Sequence, residues 1–100
     1  MERKLTDKER DALLYIIKNE GHFSFRGKLI ERVDITGLDL FPDNCKVEDE
    51  DNTVSFKGGC QFTEHYDGGN MTGPATFIGS AEMSGLNEFI LTQTPISITK

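Results

Sequence analysis

The sequence predicts an α+β domain: one N-terminal helix packed on a strongly curved antiparallel meander sheet of about six strands, or on a partly closed barrel. Three observations support this prediction. A single amphipathic helical pattern stands near the N-terminus, the remaining chain follows the two-residue period of strands, and short glycine-containing turns separate those strands. Because no second helical pattern follows, β-α-β units cannot be built, and we expect the strands to pair antiparallel. A flat sheet crossed by the helix is the alternative.

The helix is predicted over about residues 7–20. Thr6 and Glu9 have the spacing of a capping box, in which each side chain accepts a hydrogen bond from the other residue's backbone N–H. Gly21 can supply a left-handed stop. A helix of this length is marginal alone in water, so its apolar stripe must pack on the sheet. The stripe has the three- and four-residue spacing of one helical face and consists of Ala12, Leu13, Ile16 and Ile17.

Apolar side chains alternate with polar ones in the rest of the chain, and six strands are predicted there. Alternation through Phe23 and Phe25 continues past Gly27, which is interpreted as a bulge or bend in one long first strand. Turns are expected at 41–44 and at Asp51-Asn52. The predicted strands cover about residues 22–35, 38–41, 45–50, 53–66, 71–83 and 88–99.

The hairpin at Gly68-Gly69 has the most strongly specified register. A turn at these two glycines would set Tyr66 opposite Met71 and Cys60 opposite Phe77, so that apolar side chains share one face. A two-residue turn at Asp51-Asn52 would likewise set Val47 opposite Phe56. A slip by a single residue would mix polar and apolar faces in both hairpins, so we expect the faces to be well defined.

Composition limits the class of protein. A chain of 100 residues with 36% hydrophobic side chains has room for one core, so a single domain over residues 1–100 is expected. The apolar run at 13–17 is far shorter than the roughly 20 residues of a membrane-spanning helix. Residues 1–10 lack the apolar segment of a signal peptide. We therefore expect a cytoplasmic protein without a membrane segment.

Charge is distributed unevenly along the chain. The net charge is −6, and residues 1–32 sum to +2 whereas residues 33–100 sum to −8. An acidic surface repels a phosphate backbone and attracts basic proteins, so nucleic-acid binding is disfavoured. Cys45 and Cys60 have neither CxxC spacing nor nearby histidines. They are predicted to be small buried thiols, with a disulfide between them as an alternative, and no metal site or cofactor is expected.

Two segments are candidate partner-binding surfaces. Residues 94–99 alternate apolar and polar side chains after Pro95, which cannot donate to a ladder, so we expect an edge strand that pairs with a partner or with a second copy in a homodimer. Its outward apolar side chains would be Ile96 and Ile98. An acidic run at a hairpin tip would attract a basic partner. The acidic run consists of Glu48, Asp49, Glu50 and Asp51.

No catalytic residue is predicted. Adjacent strand residues point to opposite faces, so Glu64 cannot orient His65, and neither cysteine has a base on its own face. Glu64 is expected to hang over the rim at the end of the hairpin. The alternative is a pocket inside the curved sheet, where a buried Glu64 would have a raised pKa and Tyr66 could be its partner. The candidate ligand-binding residues are Glu64, Tyr66, Met71 and Cys60.

The sequence thus predicts a small acidic, non-enzymatic protein-interaction domain. It would resemble an inhibitor or adaptor in role, or self-associate through a sheet edge. The alternative is a small-ligand-binding domain, or a minor enzyme, with its pocket near Glu64 and Tyr66. A cavity of a few hundred Å³ near Glu64 would favour the alternative. An interior filled by phenylalanines and the helix would favour the interaction domain.

Overall fold

The computed structural model describes residues 2–100, and within them the α+β class is confirmed. One helix, α1 (Asp7–Glu20), accompanies nine strands, rather than the predicted six, in a single sheet. The strands are β1 (Glu2–Arg3), β2 (Phe23–Phe25), β3 (Lys28–Ile30), β4 (Ile35–Leu40), β5 (Lys46–Glu48), β6 (Thr53–Tyr66), β7 (Gly69–Gly85), β8 (Glu88–Leu91) and β9 (Ile96–Thr99).

Helix α1 has the predicted bounds and the predicted cap. The Thr6 hydroxyl accepts the Glu9 N–H at 3.2 Å, and Glu9 Oε1 accepts the Thr6 N–H at 2.9 Å. Gly21 ends the helix in extended rather than left-handed backbone, and a Cβ there would lie 2.6 Å from the Ile17 carbonyl oxygen. No helix in residues 2–100 is long and apolar enough to cross a membrane.

The helix and the phenylalanines fill one interior, as predicted. Phe77 is fully buried, and its ring packs edge-to-face against Phe23 and Phe56 at centroid distances of 6.1 and 6.2 Å. Leu13 and Ile17 from α1 have no exposed surface and belong to the same cluster. Burial of these side chains supplies the main driving force that holds the helix on the sheet.

The β6–β7 hairpin is the centre of the sheet. The strand order is β1-β5-β6-β7-β9-β2-β3, with β4 also paired to β6 and β8 also paired to β7. The sheet does not close into a barrel, so that predicted alternative is wrong. β3 pairs with β2 alone, and its other edge has no neighbouring strand within residues 2–100.

The predicted long strand at 22–35 is a hairpin followed by a separate strand. Arg26 and Gly27 both have positive φ, 53° and 80°, as in the two-residue turns that join antiparallel strands. A 3-10 turn at Arg32–Asp34 then leads into β4. The sequence did not predict this turn, because arginine seldom adopts a positive φ. The predicted strand at 38–41 is in fact part of β4, which begins at Ile35.

Both predicted hairpin registers are displaced by two residues. Tyr66 pairs with Gly69 across a turn at Asp67-Gly68, and Cys60 therefore pairs with Ala75. Val47 similarly pairs with Val54, across a loop at 49–52. Because side chains alternate with a period of two, a shift by two residues changes the partners but keeps each side chain on its predicted face.

The expectation of an edge strand at 94–99 is wrong. β9 lies inside the sheet, antiparallel to β7 and parallel to β2, so the sheet is not purely antiparallel. Ile96 and Ile98 are buried in the core and cannot serve as partner-binding residues in this fold. The predicted strand 88–99 is divided into β8 and β9, and Pro95 precedes β9, where its missing N–H breaks no ladder.

Candidate functional site

A cleft of about 560 Å³ opens at one end of the molecule, and we call it the distal cleft. Residues 28–31 form one wall and residues 62–65 form the other, while Phe25 and Asp34 complete the lining. No residue of α1 lines it. The distal cleft is therefore an opening in the sheet that the helix leaves uncovered.

Both walls of the distal cleft are strand edges. Side chains alternate along a strand, so a run of consecutive lining residues indicates that the edge of the strand, rather than one face, borders the cleft. β3 is the last strand of the sheet, and the pairing of β4 with β6 ends at Ile35 opposite Phe62. The cleft is the gap between these two edges, where the curved sheet fails to close.

Aromatic rings form the floor of the distal cleft. The rings of Phe25 and Phe62 meet edge-to-face with centroids 5.1 Å apart, and the Arg26 guanidinium lies 4.9 Å from the centroid of Phe25. Ile30 packs against the same cluster. Phe62 is buried, whereas Phe25 and Ile30 are half-buried and present apolar surface to the cleft. Such a floor suits an apolar side chain or ring.

His65 is held by two polar side chains at the mouth of the distal cleft. Its Nε2 lies 2.9 Å from Asp34 Oδ1, and its Nδ1 lies 2.7 Å from Asn70 Oδ1. The Asp34 hydrogen bond, with help from Asn70, raises the pKa of His65. Because both ring nitrogens are engaged, the imidazole is not poised to take a proton from a substrate. The sequence did not indicate this pairing, since Asp34 lies within the segment predicted as one strand.

Replacing Asp34 with asparagine is expected to lower the pKa of His65 toward the ordinary histidine range. The raised pKa implies that the contact stabilises the fold fully below the unfolded-state pKa, and that this contribution is lost as pH rises through the folded-state pKa. Asp34→Asn should thus destabilise the protein at acidic pH and have little effect at alkaline pH. A histidine NMR titration with parallel denaturation curves measures both. An unchanged His65 midpoint would contradict the pairing.

Glu64 is an ion-paired carboxylate rather than an isolated one. Lys100 Nζ donates to Glu64 Oε1 and the Tyr66 hydroxyl donates to Glu64 Oε2, each at 2.7 Å. The Lys100 ammonium lowers the pKa of Glu64, and the tyrosine hydrogen bond lowers it further. The contact with Tyr66 is present, as the pocket alternative expected. The raised pKa expected for a buried Glu64 does not arise, because Lys100, which the sequence did not place there, lies beside the carboxylate.

The four predicted ligand-binding residues are only partly brought together. Glu64 lies in the wall of the distal cleft, Tyr66 contacts it, and Met71 stands opposite Glu64 in the β6–β7 ladder. Tyr66 and Met71 are both exposed. Cys60 is buried and lines a different depression, of about 460 Å³. Phe25, Lys28 and Ile30 line the cleft but were not predicted, because the first strand was assigned without its turn.

The two cysteines are free and buried, as predicted, and the disulfide alternative is wrong. Burial raises the pKa of both thiols, which keeps them protonated and weakly nucleophilic. The Cys45 thiol also lies 3.6 Å from the carbonyl oxygen of Lys57. Both cysteines are structural components of the core.

The acidic run lies at the other end of the β6–β7 hairpin and has a structural contact of its own. Arg3 Nε donates to both carboxylate oxygens of Asp49, at 2.9 and 3.1 Å, so Asp49 ties β1 to the loop. Asp51 is exposed to solvent. One residue of the predicted partner surface, Asp49, therefore holds the N-terminal strand β1 in place.

Neither a metal site in the described part of the chain nor a similar protein indicates a function. Among residues 2–100, no three or more His, Cys, Asp or Glu side chains are grouped so that they could hold a metal ion. Comparison with protein-family models, with curated proteins and with solved structures finds no match to this chain.

Proposed function

We propose that this protein is a non-enzymatic interaction domain that binds a protein partner at the distal cleft. The observation that carries the proposal is the gap between two strand edges above an aromatic floor. Apolar side chains that are more than half exposed surround this end of the molecule, and such patches are typical of interaction sites. They are Leu29, Val33, Tyr66 and Met71.

The polar groups near the cleft support binding rather than catalysis. Both His65 nitrogens have partners, Glu64 is held by Lys100 and Tyr66, and the Thr63 hydroxyl lies 2.7 Å from the hydroxyl of Thr72. A nucleophile needs a base within hydrogen-bond reach, whereas these side chains are hydrogen-bonded to one another. The net charge of −6 favours a basic partner.

The acidic run is the second candidate surface for the same function. Its carboxylates would attract a basic protein through charge rather than through apolar contact. Asp51, which is exposed, is the position at which a partner could be reached without disturbing the Arg3 contact to Asp49.

Site-specific photocrosslinking tests the location of the partner. With p-benzoylphenylalanine in place of Tyr66, we expect a discrete crosslinked partner in cells that produce the protein. Tyr15 on α1 is the matched control, because it is a comparably exposed tyrosine (66% against 55%) remote from the cleft. Crosslinks of equal yield at both positions, or none at Tyr66, would contradict the proposal. With the same crosslinker at Asp51 as a third position, a product there alone would assign the partner to the acidic run.

A small-ligand-binding domain is the second candidate function. The cleft volume of about 560 Å³ favours it, since ligand pockets span about 300–1,000 Å³. Glu64 in the wall would give such a ligand a polar contact. Native mass spectrometry of protein isolated from its own host distinguishes the two functions, because a bound metabolite would appear as a mass increment that disappears on denaturation.

A further inference from the structure

We propose that the partner segment at the distal cleft is an extended peptide that adds a β-strand between β3 and β6, with alternating apolar and basic side chains. This inference rests on the proposed function, because it specifies the class of partner for the same site. Three observations carry it: outward-facing backbone groups on both walls, an apolar floor, and the net negative charge of the chain.

The edge of β3 offers one residue to an added strand. Phe25 and Lys28 flank the two-residue turn and pair with each other, and Leu29 pairs with Ser24. In an antiparallel hairpin, pairs that exchange hydrogen bonds alternate with pairs that do not. Lys28 therefore directs its N–H and C=O toward β2, whereas Leu29 directs both groups toward the gap. Its side chain is 75% exposed.

The edge of β6 offers a second residue on the facing wall. Tyr66 and Gly69 flank their turn, so by the same alternation Tyr66 hydrogen bonds with β7 and His65 points its N–H and C=O to the other edge. Lys57, also odd-numbered, accepts the Phe41 N–H on that edge. The β4 ladder ends at Phe62, so His65 has no strand neighbour there within residues 2–100.

The gap has a closed end and an open end. The 3-10 turn Arg32–Asp34 leads from β3 to β4 and thus crosses the gap, and Asp34 is held to β6 by His65. The hairpin turns at 26–27 and 67–68 contribute no residue to the lining, so we infer that this end is the open one. Three residues of β3 span about 10 Å, so the occupant would be a short extended segment that enters from the open end. One inward side chain would meet Phe25 and Phe62.

The net charge of the chain, rather than the lining of the cleft, favours basic outward side chains in the occupant. Within the lining, Asp34 is paired with His65 and Glu64 with Lys100, and Lys28 adds a positive charge. The chain as a whole carries −6. Basic side chains alternating with apolar ones would therefore be attracted, whereas acidic or phosphorylated segments would be repelled.

A capped peptide of alternating lysine and valine is the probe. We expect it to bind, and at saturation to slow amide hydrogen exchange of Leu29 and His65 about tenfold or more, because both amides would enter a ladder. An analogue N-methylated at its valines has the same charge but has lost the N–H donors of those valines. It should bind about tenfold more weakly. A valine–glutamate peptide should bind more weakly still.

Variants of Leu29 separate backbone from side-chain effects. Leu29→Pro removes the outward N–H but leaves the hydrogen bonds between the neighbouring residues and β2. Edge strands tolerate proline at such a position. The variant should bind the peptide about tenfold more weakly. Leu29→Ala keeps the N–H and should change the affinity by about twofold at most. If Leu29→Pro does not fold, the N-methylated peptide still decides, because it leaves the protein unchanged.

The outcomes distinguish strand addition from the proposed function. No binding of the lysine–valine peptide at millimolar concentration, or equal binding of the N-methylated analogue, overturns strand addition. If a partner crosslinks at Tyr66 while the Leu29 and His65 amides keep their exchange rates, the interaction domain stands and strand addition is removed. If the amides are protected but no partner crosslinks at Tyr66, the cleft accepts strands and the proposed function fails.

Discussion

Gly58→Ala is expected to destabilise the protein by about 3 kcal/mol, at the upper end of the usual cost of overpacking. A Cβ on Gly58 would overlap the carbonyl oxygen of Asp39 in β4 and the Phe77 ring in β7. The Asp39 oxygen belongs to the backbone, and Phe77 is fully buried between Phe23 and Phe56. Neither neighbour can move without separating β4 from β6 or breaking the central aromatic packing.

Gly68→Ala is the matched control for this prediction. Gly68 lies in the turn of the β6–β7 hairpin, and no atom beyond its two chain neighbours lies within 4 Å of an added Cβ, so a change of at most about 0.5 kcal/mol is expected. Urea denaturation monitored by circular dichroism measures both variants. Equal stability of the two alanine variants would contradict the close approach of β4 and β7 to Gly58.

Glu9→Gln is expected to cost about 2 kcal/mol at neutral pH, because it removes the charge of the buried carboxylate in a bidentate ion pair. Arg3 donates to Glu9 Oε1 at 2.7 Å and to Oε2 at 2.9 Å, and Glu9 is 6% exposed. Glutamine can still accept the Thr6 N–H, so the cap itself is preserved. Partial exposure of Arg3 keeps the cost below that of a fully buried pair.

The cost should depend on pH in a defined direction. The Arg3 hydrogen bond lowers the pKa of Glu9 from 4.5 to about 2. A lowered folded-state pKa means that the stabilisation is present above the unfolded-state pKa and is lost as pH falls from about 4.5 toward 2. The variant and the natural protein should therefore converge in stability near pH 2.

Asp43→Asn serves as the control for Glu9→Gln. Asp43 forms a 2.8 Å pair with Lys4, but both side chains are exposed, so no measurable loss of stability is expected. Guanidinium is avoided because its salt screens the pair, and urea curves over the acidic range are used instead. A pH-independent loss in Glu9→Gln, or an equal loss in Asp43→Asn, would contradict a specific role for the Arg3–Glu9 pair.

These contacts give the two ends of the molecule different roles. At the end near the acidic run, Arg3 joins β1 to α1 through Glu9 and to the loop through Asp49, so charged groups there are used to hold the fold. At the distal end, the edges of β3 and β6 face a gap with no strand between them in the part of the chain that is described. This contrast favours the distal cleft over the acidic run as the partner site.

Local patterns in the sequence determined the helix and the sidedness of the strands. The Thr6–Glu9 cap and the apolar stripe specify α1 from Asp7 to Glu20, because both depend on residues within two turns of each other. Alternation specified β6 from Thr53 to Tyr66 and the buried side of its partner β7. A two-residue error in register left those faces unchanged, since sidedness has the same period.

Only the tertiary structure decided which strands became neighbours and which charges met. Alternation of apolar and polar residues indicates that a segment forms a strand, but it does not indicate which strand is its partner. The sequence therefore predicted β9 at an edge of the sheet, whereas it lies between β7 and β2. The contacts of Asp34 with His65 and of Lys100 with Glu64 join residues more than 30 positions apart. The distal cleft exists because the curved sheet stops short of closure. That stop depends on the summed twist and length of all its strands, which no local pattern records.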